Sequence, residues 1–481
     1  MAAYTSLYER LCKYCTGQAL AMHMPGHKRN CTQAPYLDRL GAGVDITEIE
    51  GFDNLHAPQG ILLEAQRQAA GLWGAEESFF LVNGASGGIL AMLYAALRRG
   101  DELLLARGSH KSVYHAIELC GLVPRFLLPP TIKDSGIFGS ISPVQVEQAL
   151  AQHPQVRAVF LTSPSYEGVI SDIAGIARVC HAKGVLLLVD EAHGAHLGLS
   201  GAFPTGAVQC GADLVVQSLH KTLSSLTQTA ILHRCTSRID PGKLRHALAV
   251  FQTSSPSYLL MASIDGCITL LREKPELLTL WRENLQEFDQ NISRLTRIQV
   301  LLRALPLPEE VFAFDPGKIL LHTPGLSGTA LMQLLRENYA VELEMAAPGY
   351  ALAMTGLGDT RENIRRFASV LAALDTALSI LPPQKIPPDA ESTLYKSLPH
   401  LAIPPEEALN APRKLVPWGQ CAGHIAAEYV WAYPPGIPML IPGERIDAAL
   451  AGALARAAGI PGRLHASFGG LCDGIFVVCA E

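Results

Sequence analysis

The stretches VLLLVDEAHG at residues 185–194 and DLVVQSLHKT at 213–222 decide the fold. Each is a short aliphatic run that breaks off into polar residues, the first into Asp190, the second into Ser218, His220 and Lys221. Runs this apolar, without polar alternation, suit strands buried on both faces, as in parallel sheets covered by helices. Ligands of such sheets bind beyond the carboxyl ends of the strands. The two runs therefore deliver a carboxylate, a hydroxyl, an imidazole and an amine to the same kind of place. Alone, Asp190 also reads as the N-cap of a following helix and Lys221 as a surface lysine; as a pair at successive strand ends they point to a site.

Working outward, further short apolar runs at 79–82, 102–106, 125–128, 158–162 and 229–233 alternate with amphipathic stretches, such as 87–99 closed by Gly100. This alternation predicts a large α/β domain with a mostly parallel sheet and crossover helices. After about residue 240 the chain turns helical, and a second series of strands and helices at 319–322, 350–354 and 361–378 predicts a smaller α+β domain. The proline-rich LPPQKIPPD at 381–389 suits an extended connection into a last portion. The expected division is 1–45 as an N-terminal segment, 46–290 as the large domain, 291–380 as the small one and 381–481 as a C-terminal domain. YPPGIPMLIPGE at 433–444 reads equally as a loop bordering a site and as a structural turn.

Pyridoxal 5'-phosphate needs a lysine amine for its aldehyde and an anion for its pyridinium nitrogen, and Lys221 and Asp190 are such a pair. Phosphate needs a cradle. FFLVNGASGG at 79–88 offers one, a strand, a glycine turn with Gly84, Ala85 and Ser86, and then a helix whose first amides point outward. The turn matches neither a dinucleotide fingerprint nor a Walker A loop. His110, in RGSHKS, reads either as a ring laid over a planar cofactor or as a helix cap.

Composition narrows the class. Hydrophobic residues make up 49% of the chain and charged residues 17%, below the roughly 25% of soluble domains, which predicts extra surface buried in an oligomer. A net charge of −6 without runs of like charge excludes a nucleic-acid tail or a membrane arm. The start carries no basic region followed by an apolar core, and no apolar run is long enough to span a bilayer, so a cytoplasmic location is expected. Eleven cysteines without regular spacing read as reduced thiols. Cys12 and Cys15 form a CxxC pair that lacks the second pair of a zinc site, and no metal is expected.

These residues, with HMPGHKR at 23–29, DITEIEGFDNLHAPQG at 45–60 and TGLGDTRE at 355–362, make the chain resemble the Orn/Lys/Arg decarboxylases, a branch of the aspartate-aminotransferase fold, fold type I. The position of HMPGHKR near the start makes it similar to the short form without the N-terminal wing domain. The resemblance implies decarboxylation of arginine, lysine or ornithine to a polyamine-related amine and carbon dioxide, with arginine preferred, by a homodimer or dimer-based tetramer. It implies that Lys221 is the Schiff-base lysine, Asp190 the partner of the pyridine nitrogen and His110 the stacked ring. It further implies that Ser218 and His220 lie at or near the phosphate, that Ser86 with the amides of Gly84 and Ala85 forms the phosphate loop, and that Ala192 and His193 lie beneath the ring. Lys221, His110, Asp190 and His220 are the expected catalytic group, with Lys221 or His220 returning the proton to Cα. Ala85 departs from the family, where Ser or Thr is common, which puts one phosphate hydroxyl in doubt. Glu444, Glu48 and Asp53 are candidates for the substrate's distal cation, each readable also as an ordinary polar residue. The same cofactor supports aminotransfer or aldol cleavage, and a silent regulatory homologue is the reading outside catalysis.

Overall fold

The computed structural model describes residues 4–17, 20–30, 32, 34–133, 135–379, 398–432, 437–459, 464–469 and 473–479. The connection expected at 381–389 and the first four residues of 433–444 lie outside them. The chain divides into two compact units, each assembled from separated segments: Met1–Ala96, Leu186–Glu283 and Gly356–Asp359 in the first, Leu97–Val185, Asn284–Thr355 and Thr360–Glu481 in the second.

In the first unit four strands lie in the order Glu77–Leu81, Ala230–Arg234, Leu214–Ser218, Leu186–Asp190. The first two junctions are antiparallel and the last is parallel, with Leu188 opposite Leu214 and Asp190 opposite Val216. The parallel pair is buried along its length apart from the partly covered Leu186, which explains its aliphatic character: a residue flanked by helices on both faces of the sheet has no solvent-facing side to spend on polarity. The helix Gly84–Ala96 follows the first strand and lies close against the sheet. At Gly88 a Cβ would stand 2.6 Å from Leu81 Cδ1 and 2.7 Å from a Val216 methyl, so this helix position admits only glycine at the observed distance. The helix begins three residues earlier than the 87–99 read from sequence. The run GASGG carries no side chain large enough to signal periodicity, and Gly84, at φ +69°, supplies the turn into it.

In the second unit three parallel strands lie in the order Val156–Thr162, Glu102–Ala106, Val123–Leu127. A separate antiparallel sheet joins Gln299–Leu301, Lys318–His322, Ala351–Met354 and Met345–Ala346. Its core of Val169, Val311, Leu320, Tyr350 and Leu352 confirms the second series of strands expected after 319. The C-terminal residues add short antiparallel sheets and the helix Ala448–Ala458 around Val430, Leu440, Ile446, Leu454 and Ile475. The fold is thus α/β with mainly parallel central strands and a smaller C-terminal part. Among the described residues no helix is long and apolar enough to cross a membrane.

Candidate active site

The parallel register fixes the geometry of the site. Because Asp190 is opposite Val216, the two strands end within two residues of one another, and the chain leaves both in the same direction. The second strand runs straight into a single helical turn, Leu219–Thr222, which carries His220 and Lys221. The first runs into Glu191, Ala192 and His193, all buried. The two exits meet: Lys221 Nζ lies 3.0 Å from His193 Nε2. At that distance one nitrogen donates and the other accepts, so the pair consists either of an ammonium against an imidazole lone pair or of a neutral amine against an imidazole N–H.

Asp190 is 3% exposed, and Ala192 donates its amide to Oδ1 at 3.0 Å. Burial pushes its carboxyl above the ordinary aspartate range, and Lys221 and the Ala192 amide offset only part of that. A cation beside such a group favours its ionised form. His220 donates or accepts through Nδ1 to the Thr229 carbonyl at 2.9 Å; since a carbonyl only accepts, Nδ1 carries the hydrogen. Burial, with help from the adjacent Lys221, lowers this imidazole's proton affinity, so it stands neutral with Nε2 as an acceptor. Ser218 is buried at the strand end, where it takes the N-cap position of the Lys221 turn.

Gly84, Ala85 and Ser86 form the first turn of the helix Gly84–Ala96. Amides of a first turn have no carbonyl four residues back, and the Ser86 side chain is exposed beside them while Ala85 is buried. Gly84 itself is tied back, its N–H on the Gln228 carbonyl at 3.0 Å. A further element was not legible in sequence. Leu357, in the Gly356–Asp359 segment, donates its amide to the Thr222 carbonyl at 2.9 Å, and a Cβ on Gly356 would approach that carbonyl to 3.1 Å. The Gly356–Asp359 segment therefore braces the turn that carries Lys221, which accounts for Gly356.

His110 belongs to the second unit. It takes the N-cap position of the helix Lys111–Cys120, with Nδ1 accepting the Ser112 amide at 3.3 Å and 2.8 Å from the Ser112 hydroxyl. The three carboxylates considered for a distal cation differ sharply. Asp53 accepts the amides of Asn54, Gln59, Gly60 and Leu62 at the start of the helix Ile61–Trp73. Glu444, in the second unit, is fully buried and bonded through Oε2 to Arg107 Nη2 and to the Ile441 amide, both at 2.9 Å. Glu48 takes the Thr47 hydroxyl on Oε2, while its Oε1 is buried without a protein hydrogen bond.

The donor set of the first unit fits pyridoxal phosphate. It combines a buried carboxylate short of a cation, a half-buried amine held against an imidazole, and a helix N-terminus with an exposed hydroxyl.

Comparison with known proteins agrees. Residues 5–307 match the Orn/Lys/Arg decarboxylase major domain and residues 388–455 the C-terminal domain of the same family. The chain is 33% identical to an arginine decarboxylase of Bacillus subtilis over 92% of this chain and 91% of that one. Among solved structures it resembles the Francisella novicida lysine decarboxylase, with a TM-score of 0.82 and 19% identity over 98% of this chain and 81% of that one. An alanine–glyoxylate aminotransferase from Nostoc shares the fold over 65% of this chain and 86% of its own, with a TM-score of 0.53 and 15% identity.

Proposed function

Since the chain belongs to the Orn/Lys/Arg decarboxylase family, an enzyme family that removes carbon dioxide from a basic amino acid, we propose that its substrate is arginine and that the first unit's strand ends carry the chemistry. Its cofactor is pyridoxal phosphate. When bound, this group draws into its ring the electron pair of the breaking Cα–carboxylate bond. The protein's part is to bind, orient and move protons. Lys221 supplies the amine that holds the cofactor and later releases product. Asp190 sets a negative charge against the ring nitrogen in a buried setting, where its field is strong. His193, in contact with Lys221 Nζ, takes and returns that amine's proton, so Lys221 can act as a neutral nucleophile and again as an acid. The first turn at Gly84, Ala85 and Ser86, with the Ser218 hydroxyl, would hold the phosphate, and His220, neutral with Nε2 as an acceptor, would lie near it without donating to it.

Arginine is favoured by the 33% identity to the Bacillus subtilis arginine decarboxylase, against 24% to a lysine decarboxylase of Pseudomonas aeruginosa. For the guanidinium we propose Glu48: its Oε1, like that of Glu444, is buried without a hydrogen bond, but the other oxygen of Glu444 already carries Arg107 whereas that of Glu48 takes only the Thr47 hydroxyl. A homodimer or dimer-based tetramer is supported by the low charged fraction and by exposed Leu20, Met22, Met24 and Leu40.

The observation that carries this reading is the meeting of Lys221 with His193 beside Asp190 in a chain of this family. The test is carbon dioxide release from arginine, lysine and ornithine by cofactor-loaded protein. Release from arginine at the highest kcat/KM is expected; a higher value with lysine or ornithine would overturn the substrate assignment.

A further inference from the structure

The residue next to Asp190 is a second buried acid with no part in the chemistry above. Glu191 is 1% exposed. Its Oε1 accepts the Ala207 amide and its Oε2 the Gln217 side-chain amide, both at 2.7 Å. From there a chain of polar groups crosses the sheet. Gln217 Oε1 lies 3.1 Å from His233 Nε2, and His233 Nδ1 lies 2.7 Å from Ser78 Oγ. Strand register builds this line, since Ser78 is opposite His233, and His233 is opposite Val215, two residues from Gln217 on the same face. All four side chains are at most 4% exposed, a costly arrangement unless every bond is satisfied.

The chain has two states that keep its three hydrogen bonds. With Glu191 ionised, Ser78 donates to His233 Nδ1, His233 Nε2–H donates to Gln217 Oε1, and Gln217 Nε2–H donates to Glu191. With a proton on Glu191 Oε2, a half-turn of the Gln217 amide reverses each donor. Glu191 O–H then donates to the Gln217 oxygen, Gln217 N–H to His233 Nε2, and His233 Nδ1–H to Ser78 Oγ. The balance is one added proton and one shift of the His233 hydrogen between ring nitrogens, with no hydrogen bond lost.

We propose that Glu191 is a positioning residue that stores one proton beside Asp190 through this reversible chain, so that the adjacent carboxyls hold a single negative charge, on Asp190. This rests on the reading of Asp190 as partner of the cofactor's ring nitrogen. Burial, opposed by the Gln217 and Ala207 bonds and reinforced by Asp190, raises the Glu191 carboxyl to about 8. Burial lowers His233 to about 3, so the imidazole leaves the proton on the acid. Cys235 also lies near Glu191, and burial keeps its thiol uncharged. A cation arriving at Asp190 weakens the hold of Glu191 on its proton by Coulomb attraction for the ionised form.

The sign follows from the direction of the shift. The folded state binds the proton more tightly than the unfolded chain, so the contribution of Glu191 to stability falls as pH rises from the ordinary value of 4.5 to about 8 and levels off above it. The test uses full-length protein. The melting temperature of cofactor-free protein is followed against pH for wild type, Glu191→Gln and Gln217→Met. Proton release on adding pyridoxal phosphate is measured by titration calorimetry in buffers of different ionisation enthalpy. Glu191→Gln is expected to flatten the fall below about 8 and to release fewer protons than wild type. Gln217→Met, which removes a bond favouring the ionised form, is expected to move the levelling-off to higher pH. Curves parallel to wild type in both variants would overturn the stored proton, whereas a merely structural Glu191 would lower all points without changing the slope. A flattened slope with equal proton release would overturn the link to Asp190. A wild type that binds no pyridoxal phosphate would sink the reading of the site itself, and the slope would still decide the stored proton.

Discussion

Two buried carboxylates, Asp190 in the first unit and Glu444 in the second, face the same physical problem and meet it in opposite ways. Glu444 carries its own cation: Arg107, 2% exposed, reaches it at 2.9 Å and lies with its guanidinium 4.9 Å from the centre of the Phe126 ring. Asp190 has one amide bond, and its charge balance depends on Lys221. Burial raises both groups, and in both a cation offsets part of it. The difference lies in what the cation is free to do. An arginine stays charged at all working pH values and serves as a permanent counter-ion, whereas a lysine against an imidazole can give up its proton and its place. A carboxylate built into the scaffold brings a fixed partner; one kept for a ligand is left partly unbalanced, and the folded protein bears that cost.

The comparison breaks most visibly at Lys221. Lys221→Ala should abolish the visible absorbance of bound cofactor and lower carbon dioxide release by on the order of a thousandfold or more, with the melting temperature little changed. Retention of both the absorbance and full turnover would show that the amine beside Asp190 is no more committed to chemistry than Arg107 is.

The next largest effect belongs to the other carboxylate. Arg107→Met leaves Glu444 buried without its cation and should cost about 3–5 kcal/mol in denaturant unfolding. Adding Glu444→Leu should recover most of that, because the uncompensated charge goes with it. An Arg107→Met variant that costs under about 1 kcal/mol would place this pair among weakly coupled surface ions and remove the contrast with Asp190.

Why one half of this contrast is visible in the sequence and the other is not has a physical basis. VLLLVD and LVVQSLHK display their strands because double burial removes polar alternation, and the first polar residue after each run marks the strand end. The contact of His193 with Lys221 depends on parallel register, which no local pattern encodes. The polar line from Ser78 through His233 and Gln217 to Glu191 was invisible for the same reason. Its members lie on separate strands, and each alone reads as a stray polar residue in an apolar run. The helix start at Gly84 was blurred by small residues, and the pairing of Arg107 with Glu444 spans 337 positions. Local chemistry was therefore legible wherever one strand carried it, and illegible wherever hydrogen bonds crossed between strands.

Asp53 sharpens the contrast at the small end of the scale, since it is a carboxylate balanced entirely by backbone. Its oxygens take the amides of Gln59 and Gly60 at 2.9 Å and 2.7 Å, and the Asp53 residue itself adopts a left-handed φ of 68°. Burial works against ionisation here, yet the amides of Gln59, Gly60 and Asn54 hold the carboxyl below its ordinary value of 3.8. A group whose acidity rises on folding adds stability above its unfolded value and loses it as pH falls through the folded one. Asp53→Asn keeps the shape and tolerance for the left-handed backbone but removes the charge, and should cost about 1 kcal/mol near neutral pH. The difference from wild type should shrink as pH drops below 3.8, because wild type then protonates toward the neutral state of the variant. A gap constant with pH would mean that the amides bind shape rather than charge, and that Asp53, unlike Asp190 and Glu444, needs no counter-ion because it contributes little as an ion.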